Sequence, residues 1–370
     1  MKDSDKVGPA PGEDCTRVGS GITGIDMDSI DLAPLQPLAL KRTLCVSQEK
    51  PLKAVGVAWH SNSKHAVGID QTGAAILWDT TTKRVAQYIS RPHSTSVAVA
   101  PTTEDAEDKA IVAIGGLDNA ITLCDMKASL PTGEVSMRLP AVGDTHDGLI
   151  SSLAFLDDAR LASAGGDGDL RLWNLAKGES TDRLRGHSRD LSCVVTHRPE
   201  SGGGDVRIAT SSVDGTVRLW DARAGGASHI FECAHAKAGL EEATAVCFFP
   251  TGDAVAAGCG DGSVRIFDLR SNSSLATIHA KPQAARCTGI DFSLSGRGLY
   301  TSHEDGTIGV WELYGKSAGK AFHLPAYKHA DPLQQPIVGL RMAPNGVALA
   351  VACYDSCLRV YTAKQPSAMK

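Results

Sequence analysis

One step, from an aspartate to an aromatic residue six positions on, recurs along this 370-residue chain and leaves few folds open to it. It is clearest in VDGTVRLWD at 213–221. There Asp214-Gly215 reads as a tight turn, since glycine tolerates the positive φ that a two-residue hairpin demands. Val217 and Leu219 alternate with Thr216 and Arg218, the period-two pattern of a strand with one buried face, and Trp220 closes it. The same step joins Asp167 to Trp173, Asp261 to Phe267 and Asp305 to Trp311. Weaker copies join Thr72 to Trp78, Asp118 to Cys124 and Asp355 to Tyr361. Successive turns lie 44–50 residues apart.

Seven units of that length, each reading as several short strands, match the blade of a WD-type propeller. The expected fold is therefore all-β, a seven-bladed WD-repeat β-propeller. Residues 1–38 are rich in Gly, Pro, Asp and Ser, and Pro9, Pro11, Pro34 and Pro37 would break a long helix, so they read as a flexible tail. Residues 39–47 read as a strand, and the last unit stops at Tyr361 after only three strands. An N-terminal strand that completes the last blade would close the ring and leave no free edge. The propeller is thus expected over 39–362, with a short tail at 363–370.

Acids and bases are interspersed at a net charge of −5, which gives no electrostatic footprint for nucleic acid. No apolar run approaches the roughly 20 residues of a membrane span, and MKDSDKVGPAPGED has no apolar core for a signal peptide. The expectation is a cytoplasmic protein without direct membrane insertion. Ten cysteines include no CxxC pair and no neighbouring histidines at zinc spacing. Most lie in apolar strand patterns such as AVCFF at 245–249, where cysteine acts as a small core hydrophobe, so neither a metal nor a cofactor is expected.

A histidine precedes the first strand of several units: His187 after Gly186, and less regularly His146, His235 and His329. In WD repeats such a histidine bonds the turn aspartate and is linked through a strand Ser or Thr to the tryptophan. The sets are His187, Thr210, Asp214 and Trp220 in the fourth unit, and His146, Ser163, Asp167 and Trp173 in the third. His, Asp and Ser together are also the ingredients of a hydrolytic triad. A reaction centre is needed once, however, whereas a network that holds blades together is needed in each blade. No catalytic residue is assigned, and an enzyme is not expected.

Beyond the repeats, GGLDN (115–119), FLDD (155–158), GHSRD (186–190), CFFPTG (247–252), RIFDLR (265–270) and FSLSGR (292–297) each resemble a string that the β subunits of heterotrimeric G proteins carry in the same blade. The resemblance spans about residues 39–362. It implies a face of the ring that binds a G-protein α subunit and effectors, with Lys53, Leu117, Asn119 and Asp190 at matching contact positions. Glu242 stands where that family has aspartate, and Tyr354 where it has tryptophan. Val55, His93, Thr95 and Ser192 replace the family's aromatic or methionine contacts. Residues 1–38 lack the heptads with which that family's β subunit pairs with a γ subunit, so a γ-like partner stays open. So does peripheral attachment at the inner face of the plasma membrane through partners. The residues leave two readings: a Gβ-like signalling subunit, or a general WD-repeat adaptor in another multiprotein complex.

Overall fold

The computed structural model describes residues 38–45, 54–80, 84–89, 93–101, 109–127, 134–140, 145–199, 206–221, 226–235, 239–279, 285–313, 336–355 and 357–363. Among them there is no helix. Strands gather into eight antiparallel sheets: seven blades, joined in chain order, and a two-stranded ribbon of Ala234–His235 with Gly239–Leu240. Blade 4 shows the pattern: Leu191–His197 innermost, then Arg207–Ser212, Thr216–Asp221, and Ala227–Glu232 outermost. The innermost strands of the other blades are Ala54–Trp59, Ser94–Val99, Ile150–Phe155, Ala243–Phe248, Cys287–Phe292 and Ile337–Met342. Each touches the next around the ring, and the seventh touches the first.

Inner strands are buried on both faces, as in Ala254–Cys259 and Ser263–Asp268, whereas outermost strands such as Glu134–Leu139, Glu179–Leu184 and Ala227–Glu232 are largely exposed. The core is not one mass but seven apolar clusters, one per junction between neighbouring blades. The second strand of blade 5, Ala254–Cys259, serves two of them by simple alternation. Ala254 and Ala256 face blade 6, whereas Val255, Ala257 and Cys259 face blade 4. Alanines on most second strands let the sheets approach, and in every blade but the second a buried aromatic stands near the end of the third strand, Cys124 taking that place in blade 2.

Closure is made by strand Leu38–Cys45, which pairs with Cys357–Ala363 as the outermost strand of blade 7. Leu38 already pairs with Ala363, so both strands reach one or two residues beyond the limits read from the sequence at 39 and 361. Leu44 and Leu38 anchor this strand in the cores toward blades 1 and 6 respectively. Blade 6 has three strands among the described residues.

One irregularity is repeated in all seven innermost strands. A β-bulge falls at the second residue: Val55, Thr95, Ser151, Ser192, Thr244, Thr288 and Val338. A bulge adds local twist and re-aims a side chain, and these seven residues line the central channel, about 390 Å³ in volume. Thr244 donates its hydroxyl to Gly258 O at 2.9 Å and lies 2.6 Å from Cys287 O in the next blade. Thr95 makes the same pair of contacts with Gly115 O and Ile150 O. The hydroxyls thus tie neighbouring blades together at the axis.

Candidate functional site at one mouth of the channel

The Asp-Gly turns between second and third strands and the segments that enter each innermost strand lie at the same end of the ring. What fixes them is clearest in blade 4. Trp220 Nε1–H donates to Thr210 Oγ1 at 2.8 Å, Thr210 lies 2.8 Å from His187 Nε2, and His187 Nδ1 lies 2.9 Å from Asp214 Oδ2. Donor counting sets the tautomer: the indole can only donate, so Thr210 passes its proton to Nε2 and Nδ1–H points at the carboxylate. Asp214 also accepts from Ser188 N–H and Thr216 N–H. Burial resists its ionisation, but hydrogen bonds from Thr216 and His187 and the Ser188 amide prevail, and its carboxyl is held down at about 2. Burial likewise pushes the His187 imidazole below its ordinary value, against the pull of Asp214.

Blade 3 repeats the arrangement with serine. Trp173 Nε1–H donates to Ser163 Oγ at 2.8 Å, Ser163 lies 2.7 Å from His146 Nε2, and His146 Nδ1 lies 3.0 Å from Asp167 Oδ1. Neither hydroxyl is offered to a substrate, since Ser163 and Thr210 are fully buried and each already accepts from an indole. Of the other two histidines, the His235 side chain and all of His329 lie outside the described residues.

Blade 6 holds a histidine that the sequence reading missed. Trp311 Nε1–H donates to Thr301 Oγ1 at 3.1 Å, and Thr301 lies 3.1 Å from His303 Nε2. His303 comes from the second strand itself, not from the preceding loop, and its Nδ1 reaches Ala285 O at 3.0 Å. The signal was present as Thr301-x-His303, two residues on one face of a strand.

With the turns fixed, a second repeated bond builds the rim. In blades 2 to 7 the residue after the second strand donates its N–H to the carbonyl of the residue that precedes the innermost strand. The pairs are Leu117 to His93 (3.1 Å), Gly166 to Leu149 (2.8 Å), Val213 to Asp190 (3.0 Å), Gly260 to Glu242 (2.9 Å), Glu304 to Arg286 (3.0 Å) and Tyr354 to Pro336 (3.0 Å). Leu117 and Tyr354 therefore occupy equivalent places after the second strands of blades 2 and 7, and Asp190 and Glu242 the facing places before the innermost strands of blades 4 and 5, all on one rim. Asn119 sits in the adjoining turn with φ +59°, a left-handed conformation that asparagine tolerates. Lys53 lies outside the described residues. Among the replaced contact positions, His93 is on the rim, whereas Val55, Thr95 and Ser192 lie deeper, in the channel wall.

The rim is chemically divided. Leu117 and Leu149, in adjacent blades, are 51% and 38% exposed, large apolar side chains left in solvent. Blades 4 to 6 carry Asp190, Glu242, Arg286 and Glu304, with Arg286 Nη1 paired to Glu242 Oε2 at 2.7 Å. Leu149, Arg286 and Glu304 were not singled out from the sequence; only the repeated rim bond places them on the rim. No group of His, Cys, Asp and Glu side chains among the described residues is arranged to hold a metal ion.

Seven closed blades, Asp-Gly turns and tryptophans held through Ser or Thr define a WD-repeat β-propeller. A sequence model of the nucleolar protein 10-like N-terminal domain, itself a β-propeller, matches residues 151–314. Over most of the ring the chain is similar to a guanine nucleotide-binding protein subunit beta-5b of Danio rerio, 26% identical over 84% of this chain and 73% of that one. A guanine nucleotide-binding protein subunit beta of Saccharomyces cerevisiae is 24% identical over 82% and 76%, and one of Zea mays 26% over 84% and 80%. These are distant relatives.

Proposed function

We propose that the protein is a non-enzymatic scaffold whose partners dock on the divided rim, and that it acts as a Gβ-like subunit toward a G-protein α subunit and effectors. The observation that carries this reading is that Leu117, Asp190, Glu242 and Tyr354 all belong to the repeated rim bonds at one mouth of the channel, with Leu117 half exposed. Apolar and aromatic residues anchor interfaces, and Tyr354 combines a large ring with a hydroxyl for a polar partner. The acids orient an incoming surface more than they bind it. Distant similarity to G-protein β subunits over most of the ring supports the same choice. On this reading the protein is cytoplasmic and reaches the inner face of the plasma membrane through its partners. A γ-like chain, if bound, is held by means other than a heptad-paired helix.

The second reading is a WD-repeat adaptor in a different assembly, and it is favoured by the match of residues 151–314 to the nucleolar protein 10-like propeller. Affinity purification with the Tyr354→Ala and Asn119→Ala changes combined, after an unchanged melting temperature has been established, separates them. The expected result is recovery of an α subunit with the unaltered protein and its loss with the double variant. An unrelated stable complex, recovered equally by both, would overturn the proposal.

A further inference from the structure

The wall of the central channel changes character with depth. At the rim stands Arg286, whose Nη1 pairs with Glu242 Oε2. Below it lie the seven bulge residues, five of them serine or threonine. Arg341 comes three residues after the bulge of blade 7, about 10 Å deeper at about 3.3 Å per residue. The residues at that level in blades 1 to 5, each the third after its bulge, are Ala58, Ala98, Ala154, Val195 and Cys247. All five are short, which leaves room beside the guanidinium. Blade 6 has Asp291 at the same level.

Charge in this wall has one sign. Among the described residues that line the channel, the charged ones are Arg286 and Arg341, and neither Glu242 nor Asp291 is part of the lining. Glu242 meets Arg286 from the rim. A guanidinium carries five N–H donors in a planar fork, so a contact at one nitrogen leaves donors for a second acceptor. Asp291 is engaged by the backbone: its Oδ2 accepts from Met342 N–H at 2.8 Å and its Oδ1 from Phe292 N–H at 3.0 Å. Burial pushes its carboxyl up despite the pull of Arg341, which weakens it as a counter-charge. Between the two arginines the wall accepts more than it donates. Thr95, Ser151 and Thr244 give their protons to the wall carbonyls of Gly115, Ala164 and Gly258, so their oxygens are left as acceptors.

We propose that the channel is a binding site for a small polyol phosphate, with the phosphate on Arg341 and the ligand's hydroxyls on the serine and threonine ring. Guanidinium and phosphate form the strong, charge-assisted and geometrically matched kind of hydrogen bond. Two arginines, one deep and one at the mouth, suit a doubly charged phosphate better than a carboxylate. The acceptor oxygens between them need a partner that donates, and the hydroxyls of a polyol do so. The volume of about 390 Å³ falls within the range of about 300–1,000 Å³ usual for small-molecule sites.

The test is calorimetric titration of the full chain at fixed ionic strength with glycerol phosphate, inorganic phosphate and glycerol. The expected result is one site for glycerol phosphate, roughly tenfold weaker binding of inorganic phosphate, and no heat from glycerol. Arg341→Gln should weaken glycerol phosphate binding roughly tenfold or more. That change also takes the guanidinium away from Asp291, so Ser192→Phe serves as a second variant that fills the channel and keeps both arginines. It should abolish binding at an unchanged melting temperature, and Val338→Phe fills the channel from blade 7 should Ser192→Phe fail to fold. No heat with glycerol phosphate, equal heats from every anion, or binding that survives the filled channel would each overturn the proposal. None of these outcomes depends on a docked partner, so the rim reading stands or falls separately.

Discussion

Blades 4 and 5 perform the same architectural task with opposite chemistry. Blade 4 joins its loop, second strand and third strand through four polar side chains, and every donor in the chain from Trp220 to Asp214 meets an acceptor. Blade 5 does the same with Ala257, Phe267, Cys233 and Cys259, all buried in a single apolar cluster. Phe231 and Phe267 stack there with ring centroids 4.9 Å apart. The two solutions are not interchangeable piece by piece. An indole requires an acceptor on the second strand, and a hydroxyl there requires a donor facing it. The unit of choice is the whole set, because a half-satisfied buried network is worse than an apolar one.

The largest test breaks blade 4 in the middle. Thr210→Val keeps the shape but strands both Trp220 Nε1–H and His187 Nε2, and at about 1–3 kcal/mol for each buried unpaired group the loss should be about 2–6 kcal/mol. Chemical denaturation measures it, and a cost below about 1 kcal/mol would mean that packing alone holds the blade. The converse change, Ala257→Thr in blade 5, adds a hydroxyl opposite Phe267, which has nothing to donate. It should destabilise by about 1–3 kcal/mol even though it restores the residue found in blade 4. Stabilisation would show that the set is not the unit.

Blade 1 sharpens the comparison, for it is caught between the two. It has the indole of Trp78 but Gly68 where blade 4 has Thr210, and Trp78 Nε1 is buried without a partner. Gly68→Ser supplies the acceptor and should raise stability by about 1 kcal/mol, read as a higher melting temperature. The smallest effect is in pH dependence. The folded-state value of His187 is depressed by burial, so its contribution is complete above the unfolded value near 6.5 and declines as the pH falls below it. Asp214 adds a second loss between about 4 and about 2. A stability profile of His187→Gln should be flatter than that of the unaltered protein just below pH 6.5, and an identical slope there would refute the assignment.

How much of this could be read beforehand follows the same division. The ring, its closure by an N-terminal strand and the two regular networks are local patterns: a turn, a six-residue offset and a histidine in the preceding loop. His303 escaped because it reaches its threonine from the same strand, which breaks the expected loop position but not the geometry. Leu149, Arg286 and Glu304 escaped for a different reason. Their places on the rim are fixed by a backbone bond between residues about 20 apart, and no side-chain type marks it.

The strand that closes the ring has a consequence for how the protein is made. Leu38–Cys45 leaves the ribosome early, but its partner Cys357–Ala363 follows only after about 310 further residues. At roughly 5–20 residues per second, that is a wait of roughly 15–60 s. Throughout it the early strand carries unmatched backbone groups and the apolar side chains of Leu38 and Leu44. Six blades can form one after another from neighbouring segments, but the seventh cannot. For that interval the nascent chain carries an unpaired strand, where a chaperone that shields exposed strands would have its target.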